Sequence, residues 1–142
     1  MPREAKEYEI IEEFSPMMRT LIELNEEKFG HIDPNVIRMA AITNKEPSFE
    51  YKVKAIPNPI ALFCPDVRFI VVVFQSVWET YSEDQKAMLI CKALFSLEPD
   101  EKEPKVKPFD LSDHSDMIKT FGVDYINNPE IRGLLEKSIT WK

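Results

Sequence analysis

Lys92 and Ser96 come nearest to a chemical arrangement in this 142-residue chain. Four positions apart, they share one face of a helix. A lysine desolvated in a pocket can act as base for a neighbouring hydroxyl, which is the logic of a Ser-Lys nucleophilic pair. Such a pair also needs donors aimed at a developing oxyanion. Gly30, Gly122 and Gly133 are the chain's three glycines and none flanks it; with so few, phosphate-cradling loops are not expected either. The plainer reading is taken, two polar residues on the single solvated stripe of an amphipathic helix. His31, His114, Cys64 and Cys91 match no zinc-ligand spacing. His31 reads as loop and His114 as a core or boundary histidine. Asp110, Asp113 and Asp116 lack the glycine and closing glutamate of a calcium loop. The two cysteines are expected to be reduced, buried thiols. Trp78 and Trp141 read as packing residues that would be interface anchors if exposed.

The elements that must position these groups follow from pattern. Ser15-Pro16 opens a helix as N-cap and first helical residue, and Gly30 is expected to close it in the left-handed region. The stretch from Tyr8 to Phe14 fits neither the helical nor the strand period. Val36 to Ile42 reads as a strand. Phe49, Tyr51, Val53 and Ala55 alternate with Glu50, Lys52 and Lys54, the signature of a half-exposed strand. After the proline pair Pro57 and Pro59, Ile60 to Phe63 is expected to be extended. Phe69 to Phe74 reads as a strand buried on both faces. Ser82 and Gln85 form a capping box that starts a nearly all-apolar helix, which Pro99 ends. On it Gln85, Lys92 and Ser96 fall within about 40° of one another. Glu98 to Pro108 should cross the surface as a loop, followed by helices over 110–122 and 128–137.

The segment from Val77 to Leu97, VWETYSEDQKAMLICKALFSL, with Phe121-Gly122 further on, resembles the phage-type zinc metallopeptidase family. The likeness covers roughly residues 8–125. It implies a zincin-like α+β fold: an N-terminal helix, a small three- to four-stranded mixed or antiparallel sheet, a central buried helix and C-terminal helices. It further implies H-E-x-x-H on the capped helix and a third ligand in a later segment. Laid on that pattern, Lys92 stands at the first ligand, Ala93 at the catalytic glutamate, Ser96 at the second ligand and Phe109 at the third. A catalytic zinc needs three donors and an open position for water. A protonated ammonium, a methyl, a hydroxyl and a phenyl ring supply neither donors nor a base. The expectation is a pseudoenzyme with no metal and no cofactor.

Composition bounds the remainder. With 44% hydrophobic and 30% charged residues the chain reads as one globular domain. No apolar run approaches the roughly 18 residues of a membrane span, and the opening MPREAKEYEII lacks a signal peptide's apolar stretch, so the cytoplasm is expected. Net charge -7 disfavours nucleic acid and anionic lipid as partners. Acidic residues outnumber basic ones most clearly in residues 1–30 and 98–116. The leading expectation is a non-catalytic factor holding a host or viral protein. Extended-peptide pairing at a sheet edge would serve this. The strand containing Lys52 and Lys54 is the candidate edge, and Trp78, Lys92 and Ser96 are further binding candidates. A metal-dependent hydrolase with a relocated site and an acidic decoy of nucleic acid stand as alternatives.

Overall fold

The computed structural model describes residues 5–57, 59–98, 105–106, 117, 120, 131–136, 138–139 and 141. The expected α+β class is present. Four strands, β1 (Tyr8–Ile10), β2 (Ile37–Ile42), β3 (Lys52–Ala55) and β4 (Phe69–Phe74), form a mixed sheet in the order β1-β2-β4-β3. β2 and β4 run parallel from Ile37 opposite Phe69 to Ile42 opposite Phe74, and both outer strands pair antiparallel. β4, without a charge and rich in valine, takes the interior position that such a run requires.

Strand alternation sorts the side chains onto two faces. On one, Met39, Ala41, Val71 and Val73 meet a helical layer, α1 (Phe14–Leu24) and α5 (Glu83–Phe95), whose Met18, Leu21, Met88 and Ile90 complete the main core. On the other, Ile42, Val72 and Phe74 form a smaller cluster, with Phe49 tilted against Phe74 at 4.6 Å.

Several boundaries differ from the sequence reading. The ambiguous segment at Tyr8 to Phe14 divides: β1 ends at Ile10 and the helix begins at Phe14. Glu13 therefore holds the N-cap position, and Ser15 lies inside the first turn, where its Oγ accepts from Arg19 Nε. The helix does not run unbroken to Gly30. Asn25 leaves helical geometry and its Nδ2 donates to the Leu21 carbonyl, the local competition with backbone pairing that asparagine permits. A short helix, α2 (Glu26–Phe29), follows. Gly30 is right-handed at φ -60°, and the reason for glycine there is space: a Cβ would meet the Glu26 carbonyl oxygen at 2.6 Å.

A 3-10 turn at Pro34–Val36, capped by Asp33 Oδ1 accepting from the Asn35 N–H, delivers the chain into β2. Ile60–Phe63 is not extended but a helical turn, α3. Pro57 and Pro59 donate nothing, yet their carbonyls accept from the Ala61 and Leu62 N–H groups. Proline's fixed φ suits the start of a turn as well as an extended link. This turn leaves Cys64 exposed, against the expectation of a buried thiol; Cys91 is buried as expected. α4 (Gln75–Trp78) links β4 to α5.

The α5 capping box is present in both halves: Gln85 N–H donates to Ser82 Oγ at 3.2 Å, and Ser82 N–H donates to Gln85 Oε1 at 2.8 Å. The helix stops at Phe95, short of Pro99. Leu97–Glu98 (β5) then pairs antiparallel with Lys105–Val106 (β6), so the expected loop contains a small ladder that runs close to β3. Of the expected helix over 110–122, Met117 and Thr120 are described, and both are helical; Phe109, Asp110, Asp113, His114, Asp116, Phe121 and Gly122 lie outside the described residues. Where the expected helix over 128–137 is described it is not helical: residues 131–133 are irregular and 134–136 form a turn, with Gly133 at φ 76°, outside helical geometry.

Candidate functional site

α5 carries the positions that the sequence singled out. Its apolar residues pack all round, so the three at 92, 93 and 96 are drawn into the core with them. Lys92 is 5% exposed and Ser96 2%. The reading of these two as a solvated stripe is therefore wrong. Apolar neighbours flank the stripe on both sides, and the helix is a central one, not a surface one.

A buried ammonium needs a counter-charge. Lys92 Nζ donates to both carboxylate oxygens of Glu50, each at 3.0 Å. Glu50 comes from the residues just before β3, 42 positions away in sequence, and its side chain keeps partial access to solvent. Sequence reasoning took it for one of the outward residues of an alternating strand. The signal that could have found it is Lys92 itself: a lysine on an otherwise apolar helix implies a carboxylate somewhere, though not which. Ser96 Oγ donates to the Lys92 carbonyl at 3.1 Å. Tyr81 lies within the influence of Glu50. Burial first, and then the Glu50 charge, push its phenol up to about 12. Cys91, also on α5, has its thiol pushed up to about 12 by burial alone.

Three of the four predicted positions are thus buried together at the C-terminal end of α5, Lys92 and Ala93 within the helix and Ser96 at its C-cap, and Phe109 lies outside the described residues. The zinc that the resemblance implies does not fit the groups at 92, 93 and 96. An ammonium repels a dication, Ala93 has no oxygen, and the Ser96 hydroxyl proton is committed to backbone. The Glu50 carboxylate is engaged by Lys92. Among the described residues no three of His, Cys, Asp and Glu are grouped to hold a metal ion.

The other binding candidates separate from this face. Lys52 and Lys54 are exposed on β3, with Lys52 Nζ 4.5 Å from the centre of the Phe49 ring. Trp78 is buried, so the role of exposed anchor falls away. Its Nε1 donates to Glu13 Oε1 at 2.6 Å, and Lys86 Nζ reaches the same oxygen at 2.7 Å while lying over the indole ring. The hydrogen bond from Lys86 holds the Glu13 carboxyl below the usual range, with Trp78 assisting. His31 is exposed in a turn, as expected.

A capped, buried helix packed on a small mixed sheet, with its ligand-spaced positions at 92 and 96 facing inward, defines an α+β protein of the kind that the resemblance implies. The family described as putative phage metallopeptidase matches residues 6–138, and the chain belongs to that family. No curated protein and no solved structure matches it. Among the described residues no helix is long and apolar enough to cross a membrane.

Proposed function

We propose that this chain is a pseudo-metallopeptidase, one that holds a protein partner and does not hydrolyse it. A single observation carries the reading: at Lys92, where the resemblance lays the family's first zinc ligand, an ammonium is buried and hydrogen-bonded to both carboxylate oxygens of Glu50. A metalloprotease needs neutral imidazoles there and a carboxylate to take a proton from water. Here the cation is part of the protein and carries no exchangeable ligand position, so no water is activated on this face. The family's description supports a viral or provirus-derived origin. The partner is then a host or viral protein in the host cytoplasm, whose activity the bound chain inhibits or modulates.

Elemental analysis and peptide hydrolysis test this together. Protein purified in the presence of zinc and then desalted should retain well under one ion per chain and cleave no unstructured peptide. The variant Lys92→His, Ala93→Glu, Ser96→His, Phe109→His should gain zinc. Stoichiometric zinc in the natural chain, or hydrolysis that a chelator abolishes, would overturn the reading.

A further inference from the structure

We infer that the outer edge of β1 docks an extended segment of the partner in which basic residues alternate with apolar ones, adding it to the sheet as a further strand. The inference rests on the reading of the chain as a partner-holding protein and names the surface that does the holding. β1 pairs with β2 on one side, and among the described residues no strand pairs with the other. Ile11 N–H donates to the Met39 carbonyl at 3.1 Å and Thr43 N–H to the Glu7 carbonyl at 3.0 Å. In an antiparallel ladder the bonded pairs alternate, so residues 7, 9 and 11 turn their backbone groups to β2. Those of Tyr8 and Ile10 point outward.

Side chains set the specificity. Tyr8 and Ile10 lie opposite Ile42 and Ala40 and are 53% and 73% exposed, an apolar margin to the sheet. A groove along the same edge is lined by Tyr8 and Ile10 themselves, by Ile11 and Trp78, and by Glu9, Glu12 and Glu79. Lys86, the groove's cation, is neutralised by Glu13. A strand laid along β1 would send alternate side chains to Tyr8 and Ile10 and the others among the glutamates. Lysines or arginines suit the second set. Residues 7–13 contain no lysine or proline, two of the devices that guard an edge against pairing; the charges they do carry are glutamates, which repel an acidic strand and admit a basic one. β3 differs on both counts, carrying Lys52 and Lys54 and having β6 close by.

The test is fluorescence anisotropy of a labelled peptide of alternating lysine and valine, titrated with the full chain in chelator so that binding is read without turnover. Saturable binding is expected, absent for the glutamate-valine peptide. N-methylation of the peptide's edge-facing amides should weaken it about tenfold or more, as should Ile10→Pro, which removes an outward N–H, and the double reversal Glu9→Lys, Glu79→Lys. No saturable binding, or binding indifferent to both N-methylation and Ile10→Pro, overturns the inference. Mass spectrometry of the same peptide incubated with the chain and zinc reports separately on the underlying reading, which cleavage would overturn.

Discussion

Lys92 is chemically costly where it stands. Removing an ammonium from water costs several kcal/mol, recovered only in part by a well-placed carboxylate. The two members of the pair are unequally placed: Lys92 is buried, whereas Glu50 retains contact with solvent. Their removal should therefore be unequal too. Lys92→Met keeps the stem's packing and leaves a glutamate that can turn to water, so it should cost under about 1 kcal/mol. Glu50→Gln leaves a buried ammonium facing a neutral amide, and about 3 kcal/mol should be lost, within the range for breaking a buried pair. Urea unfolding of the two variants measures the difference. Losses that are equal and both under about 1 kcal/mol would mean that the pair is as wet as a surface salt bridge.

At the scale of elements, what the sequence revealed was what depends on near neighbours. The α5 capping box needs two residues three apart, and both bonds form. Ser82→Ala should remove one and destabilise the protein by about 1 kcal/mol, with a smaller loss for Gln85→Ala; thermal unfolding of each variant checks this. β4 was legible because an uncharged run of valines tolerates no solvated face. Elements whose outcome turns on competing local bonds were not. Asn25 breaks the first helix with its own side chain, and Pro57 and Pro59 lend their carbonyls to a helical turn. Gly30 was assigned the wrong role because its requirement is steric and not a positive φ. Gly133, given no backbone role in the sequence, takes the positive φ instead.

Across the whole molecule, distance along the chain decided what could be foreseen. The face carrying residues 92 and 96 was visible from spacing, whereas the Glu50 that neutralises it and the groove at β1 are products of the fold. The same holds for the way residues 131–141 are fastened to the helical layer. Leu134 N–H donates to Asp84 Oδ1 at 3.0 Å and Ile139 N–H to Asn25 Oδ1 at 2.8 Å, so two helical-layer side chains meet the backbone of this segment. Trp141 then stands edge-on to Phe29 and Phe95, with ring centres 5.8 and 5.2 Å away, and those two rings meet each other at 4.9 Å. Three mutually perpendicular or tilted aromatics thus join α2, α5 and the segment. Each such pair contributes roughly 0.5–1.5 kcal/mol beyond area burial. Trp141→Ala should accordingly cost about 2 kcal/mol, less than a fully buried tryptophan because this one is half-buried. It should also speed amide exchange at Ile139, whose bond to Asn25 lies two residues from the anchoring ring. Unchanged stability together with unchanged exchange would show the segment resting on the helical layer without bracing it.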